Sequence, residues 1–302
     1  MVRILITDGM EQESVKNLKS LGHEVVEQFF EPEELKKQVK EFNILIVRSA
    51  TKVKKDIIDE ALETKNLKLI IRGGVGVDNI DVSHAEVHGI IVKNTPLASS
   101  LSVAELALAH MFGLARFIGL SNITMREGKW EKKKYTGIEL SGKILGIVGF
   151  GRIGRELAKK ASALGMKVIY HDILGPVKDL TEFNFVSQDE LLAQSDFISL
   201  HIPGSKDKSP VFGRTEFLKM KDGAYLINCA RGTVVDEKAL VEALDSGKLA
   251  GAGIDVFNEE PTKNSELVNH EKVSVTPHIG ASTEEAQKRI GAEIVSIIKE
   301  SF

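Results

Sequence analysis

At 302 residues and 33.1 kDa the chain is long enough for two hydrophobic cores, each of roughly 100 to 200 residues. Forty basic against 43 acidic side chains leave a net charge of −3, so no global basic field exists to gather nucleic acid, and 42% hydrophobic with 27% charged residues excludes a disordered chain. The single cysteine, Cys229, excludes an intramolecular disulfide framework and a thiolate-rich zinc site, and no metal is expected.

The N-terminus, MVRILITDGM, reads as a strand entering a turn and lacks the basic and apolar regions of a secretion signal. Apolar runs stay far short of the roughly 18 residues of a membrane span. A soluble cytoplasmic protein is expected. Over the first hundred residues, VRILI (2–6), HEVVE (23–27), NILIV (43–47), LKLII (67–71) and GIIVK (89–93) are strand candidates, mostly without strict alternation. Such runs suit parallel strands covered on both faces. EQESVKNLKSL, PEELKKQVKEF and KKDIIDEALE between them have helical period, which places the region in the α/β class.

After NTP (94–96) the character changes. Residues 103–118, VAELALAHMFGLARFI, are apolar almost all round, with Glu105, His110 and Arg116 the only ionisable side chains. A helix of this kind is covered on most of its surface. It either crosses a domain centre or is covered by a second subunit, and the second is favoured. TMREGKWEKKKYTG (124–137) sets five Lys and Arg around Trp130. In a slightly acidic protein this short run reads as a solvated arm anchored by Trp130, not as a nucleic-acid patch.

A second α/β series starts at Lys143: KILGIVGF, KVIYHD (167–172), DFISLH (196–201), AYLINC (224–229), AGAGIDV (250–256) and KVSVTP (272–277), with helices expected around 152–164, 187–194, 214–220 and 236–246. The last segment, EEAQKRIGAEIVSIIKE, places Ala286, Ile290, Ile294 and Ile297 on one helical face, and Ser282 with Glu285 forms a capping-box pattern at its start.

Gly149, Gly151 and Gly154 fill a G-x-G-x-x-G between an apolar strand and a helix. The first permits a tight turn, the second leaves space for a pyrophosphate, and the third lets helix and strand pack closely. Asp172, 18 residues past Gly154, ends the next strand where a carboxylate can accept from both ribose hydroxyls and repel a 2′-phosphate. NAD is therefore expected over NADP; the alternative is that Asp172 only caps a strand end.

Hydride chemistry needs a proton carrier and a grip on the substrate. Three segments after predicted strands supply candidates at the carboxyl edge of one sheet. His278 in VTPHIGAS is the acid and base, since imidazole titrates near neutrality. Glu260 in NEEP can hold its second nitrogen, and Arg231 in NCARG suits a 2-hydroxy or 2-oxo carboxylate gripped through two parallel hydrogen bonds. Asp255, after the small apolar run AGAGI, either contacts the nicotinamide or supports the loop. Cys229 has no histidine beside it in sequence and reads as packing under the cofactor.

These stretches resemble the D-isomer-specific 2-hydroxyacid dehydrogenases. The similarity runs through LIVRSATKV (45–53), IIRGGVGVDNID (70–81), NTPLASSLSVAELAL (94–108), GIVGFGRIGRELA (146–158), INCARGTVVDEKAL (227–240), GAGIDVFNEEP (251–261) and TPHIGASTEEAQ (276–287). It implies a catalytic set of Arg231, Glu260 and His278, a nicotinamide contact at Asp255 and a ribose contact at Asp172. It also implies cofactor contacts at Gly149, Gly151, Arg152, Ile153, Gly154, His201, Pro203, Cys229, Ala230, His278 and Gly280. Substrate contacts are implied at Arg48 and Ser49 and at backbone amides around Gly73, Gly74 and Val75.

The implied fold is α/β with two Rossmann-like domains. A doubly wound parallel-sheet NAD domain (99–282) is inserted in a flavodoxin-like substrate domain (1–98 plus 283–302). Pairing into a homodimer through the NAD domains is implied as well. Within the family, RSATKV and RGGVGVDN are most similar to members that oxidise 3-phospho-D-glycerate with NAD, the entry to phosphorylated serine synthesis, with Arg48 available for the phosphate. Glyoxylate, hydroxypyruvate or D-lactate activity is the near alternative, and a corepressor-like NAD-binding module the distant one. Two departures stand out: Gly204 and Ser209-Pro210 in HIPGSKDKSPVFG (201–213), and an end at Phe302 directly after the last helix. The second implies that no serine-sensing domain, and no feedback inhibition through one, is present.

Overall fold

A computed structural model describes residues 1–178, 181–205, 207 and 209–302. They form two units, Met1–Ser99 with Ala281–Phe302, and Ser100–Gly280.

The first unit runs β1 (Arg3–Ile6), α1 (Gln12–Ser20), β2 (Glu24–Glu27), α2 (Pro32–Gln38), β3 (Ile44–Val47), α3 (Lys55–Thr64), β4 (Leu69–Arg72), α4 (Val82–Val87) and β5 (Ile91–Asn94). Its sheet is parallel in the order β2-β1-β3-β4-β5, a flavodoxin-type winding. Alternating side chains feed two cores. Leu5, Leu45 and Ile70 meet Ile57 and Ile58 of α3 on one face, and Ile4, Ile6, Ile44, Ile46, Leu69 and Ile71 lie on the other. That burial on both faces explains why the strands read as continuous apolar runs.

The second unit runs α5 (Ser100–Ala115), α6 (Ile118–Arg126), β6 (Ile144–Val148), α7 (Arg152–Ala163), β7 (Lys167–His171), β8 (Asn184–Phe185), α8 (Gln188–Gln194), β9 (Phe197–Leu200), α9 (Arg214–Lys219), β10 (Ala224–Asn228), α10 (Glu237–Asp245), β11 (Leu249–Ile254), α11 (Ser265–Val268) and β12 (Val273–Val275). Its seven strands are parallel in the order β12-β11-β10-β9-β6-β7-β8. The order reverses at β6 and β9, so a crevice opens beyond their carboxyl ends.

The chain then returns to the first unit as α12 (Glu284–Ser301), whose Ile290, Ile294, Val295 and Ile298 close the second core of that unit. Each such side chain contributes about 1.5 to 3 kcal/mol when removed from water. The N-cap of α12 is Thr283, whose hydroxyl accepts from the Ala286 N–H at 3.1 Å, one residue later than the expected Ser282.

Helix α5 lays Val103, Ala104, Ala107, Met111 and Ala115 against Leu157, Ala158 and Ala161 of α7. It thus buries one face in its own unit, while Leu101 and Phe112 remain 39% and 38% exposed. The apolar run breaks at Phe117, where the backbone turns left-handed (φ 54°), and α6 buries no residue. Trp130 is 79% exposed, so it is not the buried anchor expected of the arm. No single helix among the described residues is long and apolar enough to cross a membrane.

Candidate active site

The crevice at β6 and β9 is built first by glycines. A Cβ on Gly149 (φ 90°) would lie 2.5 Å from the His201 carbonyl oxygen, and one on Gly154 would lie 2.4 Å from the Gly149 oxygen. Any larger residue would push strand, turn and α7 apart. A Cβ on Gly151 would meet nothing within 4 Å, so the backbone there faces open space. Gly151 is the N-cap of α7 and accepts from Arg155 N–H, and the first N–H groups of the helix, from Arg152, Ile153 and Gly154, have no intrahelical acceptor. Those donors, the helix dipole and the open approach suit a pyrophosphate.

Asp172 follows β7, with one carboxylate oxygen accepting from Phe150 N–H at 2.7 Å and the other from Leu174 N–H at 2.9 Å. It therefore ties its own turn to the glycine turn and keeps a lone pair on each oxygen for a ribose hydroxyl. Ile173 and Leu174 beside it are 91% and 90% exposed, an apolar step next to that carboxylate. His201 bonds Ser199 Oγ at 2.9 Å through Nε2, while its buried Nδ1 has no partner. Burial pushes this imidazole down to about 4, so it is neutral at pH 7. Pro203 is exposed beyond it, and a Cβ on Gly204 would lie 2.6 Å from Thr233 Oγ1, which puts the loop beside the Arg231 turn. Lys206 and Lys208 of that loop lie outside the described residues.

Three further loops leave β10, β11 and β12 at the same sheet edge. After β10, buried Asn228 pins the turn: its side chain accepts from Ala230 N–H and donates to Arg231 O. Cys229 and Ala230 are buried, and Arg231 is half-buried. Burial, then the Asp255 charge, pushes the Cys229 thiol well up, so the group packs and does not react. A Cβ on Gly232 would fall 1.9 Å from the Phe257 carbonyl, so the turn carrying Arg231 presses on the loop that carries Glu260.

After β11, Asp255 is 1% exposed and its carboxylate accepts from Thr276 Oγ1 at 2.6 Å, Ile279 N–H at 2.8 Å and Gly280 N–H at 2.9 Å. Its carbonyl accepts from His278 N–H at 2.8 Å. Asp255 thus clamps the loop after β12. His278 stands there at φ 53°, with Nδ1 2.7 Å from Glu260 Oε2. Glu260 Oε1 accepts from Phe257 N–H at 3.1 Å. Burial raises the Glu260 carboxyl, but the His278 bond and charge, the Phe257 N–H and the Arg231 charge outweigh it and hold it below the ordinary value. A charged carboxylate beside Nδ1 fixes that nitrogen as the donor and leaves Nε2 for proton exchange.

In the first unit a cavity of about 560 Å³ opens beyond β1 and β3, where that sheet reverses its order. Asp8, Glu11, Arg48, Glu284 and Lys288 line it. The loop carrying Arg48 and the exposed Ser49 is pinned by Asp8, which accepts from the Arg48 and Thr51 N–H groups, and by Asn79, whose side-chain amide donates to Arg48 O and Thr51 O. Burial lowers the Arg48 guanidinium and the Asp8 charge partly restores it. The amides of Gly73 and Gly74 were expected to face substrate, but they donate to Val47 O and Arg72 O. Among the described residues, Val75 keeps the only uncommitted amide of the three.

Sequence reading did not find Asn228, Thr276, Asp8 or Asn79. Asn228, Asp8 and Asn79 bond backbone across a loop and Thr276 bonds the Asp255 carboxylate, and only their presence inside a quoted motif signalled them.

A parallel, doubly wound sheet with a glycine-rich turn after β6 defines the second unit as a dinucleotide-binding domain in class. Residues 108–280 match the NAD binding domain of the D-isomer specific 2-hydroxyacid dehydrogenases. The chain is 47% identical over 300 residues to a hydroxypyruvate reductase of Thermotoga maritima, covering 98% of this chain and 97% of that one. It is 45% identical over 303 residues to a D-3-phosphoglycerate dehydrogenase of Methanocaldococcus jannaschii, covering 99% of this chain but only 57% of that protein. A glyoxylate reductase structure from Paecilomyes thermophila superposes with a TM-score of 0.90 at 33% identity, over 99% of this chain and 94% of the other. The chain belongs to the D-isomer-specific 2-hydroxyacid dehydrogenase family and is an NAD-dependent enzyme of that class.

Proposed function

We propose that the chain oxidises 3-phospho-D-glycerate to 3-phosphooxypyruvate, the first step of phosphorylated serine synthesis, with His278, Glu260 and Arg231 as its catalytic residues. The observation that carries the reading is the His278–Glu260 pair at 2.7 Å beside the Arg231 turn. Bound NAD supplies the acceptor for the hydride leaving C2. His278 Nε2 takes the proton of the C2 hydroxyl, and Glu260 stabilises the imidazolium that results. Arg231 grips the C1 carboxylate through two parallel hydrogen bonds and so aims C2.

Gly149, Gly151, Arg152, Ile153 and Gly154 receive the pyrophosphate, and Asp172 the adenosine ribose. Asp255, His201, Pro203, Cys229, Ala230 and Gly280 line the nicotinamide end. The second unit is the cofactor domain and the first the substrate domain, where Arg48, Ser49 and the Val75 amide meet substrate and Arg48 takes the 3-phosphate. Two chains pair through their cofactor domains over the exposed Leu101, Phe112, Ile118, Ile123 and Trp130.

Hydroxypyruvate or glyoxylate reduction is the second reading, favoured by the full-length match to the Thermotoga maritima enzyme. Hydroxypyruvate differs from the phosphorylated oxo acid only at C3, so the choice rests on Arg48. A panel of 2-hydroxy and 2-oxo acids, with NAD and with NADP, tests it. The expected result is the highest kcat/KM for the phosphorylated acid with NAD, and a loss of that preference in Arg48→Ala. Equal kcat/KM for hydroxypyruvate and its phosphate ester would select the second reading.

A further inference from the structure

Helix α5 carries one ionisable side chain into its buried face, His110, which is 2% exposed. The helix comes close enough to do so because β11 has no side chain at Gly253, where a Cβ would lie 2.6 Å from that of His110. The imidazole meets two hydroxyls of the β12 segment, Ser274 Oγ at 2.9 Å from Nδ1 and Thr276 Oγ1 at 3.1 Å from Nε2.

Hydrogen-bond direction then assigns every proton. Thr276 Oγ1 donates to Asp255 Oδ1, so it can only accept from His110, and Nε2 carries the hydrogen. Burial lowers the His110 imidazole, with Asp255 opposing, so the ring is neutral at pH 7 and Nδ1 accepts from the Ser274 hydroxyl. A directed chain results: Ser274 to His110 to Thr276 to Asp255.

That chain ends on the group that holds His278. Asp255 receives the Ile279 and Gly280 amides, and its carbonyl receives the His278 amide. A histidine at φ 53° lies in the left-handed region that residues with a Cβ disfavour, so its backbone stays there only while neighbours hold it. With its lone pair occupied by Nε2–H, the Thr276 hydroxyl points its proton at Asp255 and fixes that carboxylate in the orientation its two amide partners require.

We propose that His110 is a positioning residue for hydride transfer, acting through Thr276 and Asp255 to set the loop that carries His278. The inference rests on the acid and base role proposed for His278. It links the α5 helix to the proton-transfer step without contact with substrate or cofactor.

The test compares His110→Leu, His110→Gln, Thr276→Val and the His110→Leu/Thr276→Val pair, with folding checked by circular dichroism and thermal unfolding. His110→Leu removes the donor. Thr276→Val deletes the hydroxyl at nearly constant volume and carries the test if the leucine variant does not fold. A displaced loop predicts a kcat loss of about 10-fold to 100-fold in each single variant, with KM for NAD changed less than about twofold. The pair should be no slower than the worse single variant. His110→Gln, whose side-chain amide can donate to Thr276, should recover most of the rate. A folded Thr276→Val with wild-type kcat, or losses that multiply in the pair, would overturn the proposal. His278→Ala, measured beside them, separates the two ideas: if it alone is inactive, only the relay falls, and if it turns over normally, the proposed acid–base role falls.

Discussion

Glu260 couples the site to pH. Its carboxyl is held below the ordinary value because the pairing with His278, the Phe257 N–H and the Arg231 charge outweigh burial. A depressed acid stabilises the fold above its unfolded value, near 4.3, and that contribution disappears as pH falls through the lower folded value. The stability gap between wild type and Glu260→Gln in urea should therefore shrink below about pH 4.3. A gap that stays constant through that range would show the pairing to be absent in solution. At neutral pH the same variant should lose about 100-fold in kcat, with NAD affinity kept.

At Asp172 the carboxylate already serves two backbone amides. Asp172→Ser should weaken NAD by about tenfold, a loss of the size expected for hydrogen bonds to a charged group. Unchanged affinity by titration calorimetry would leave Asp172 with the strand-capping role alone. The residue types and their places after strands made Arg231, Glu260, His278 and Asp172 legible as candidates. The three donors on Asp255 and the commitment of the Gly73 and Gly74 amides were not legible, because both depend on the path of the backbone between loops.

Most elements were readable from sequence, down to the short α9 and β12, and a few of the shortest were not. β3 and β10 follow their expected runs within two residues, whereas the two-residue β8, the six-residue α4 and the four-residue α11 carry too little pattern to be seen. The end of α5 escaped notice because the apolar run continues past Phe117, where the backbone turns left-handed. The start of α12 came one residue late, because both Ser282 and Thr283 have capping hydroxyls and only one meets the Ala286 amide. Thr283→Ala should cost about 1 kcal/mol by chemical denaturation and Ser282→Ala only a few tenths. The reverse order would restore the capping box. Ile294→Ala, which opens a void between α12 and the first sheet, should cost about 2 to 5 kcal/mol.

For the whole molecule, composition set the limits and topology located the candidate sites. The parallel runs announced two doubly wound sheets, and each reverses its strand order where a candidate pocket or glycine turn lies. What covers the outer face of α5 was not decided by its apolar composition, since the face bearing Val103, Ala107 and Met111 is already covered by its own unit while Leu101 and Phe112 stay partly exposed. The proposed pairing predicts a species of twice the chain mass in sedimentation, and dissociation by Phe112→Asp. A wild-type monomer at micromolar concentration would remove the pairing and leave α5 a core helix with an exposed edge.

The central claim is that His278 carries the proton in an NAD-dependent oxidation. The most direct measurement is NADH formation from 3-phospho-D-glycerate by wild type and His278→Ala, with NAD binding titrated in both. The account predicts that NAD affinity stays within about threefold and that kcat falls about 10³-fold. Wild-type kcat in a folded His278→Ala protein would contradict it.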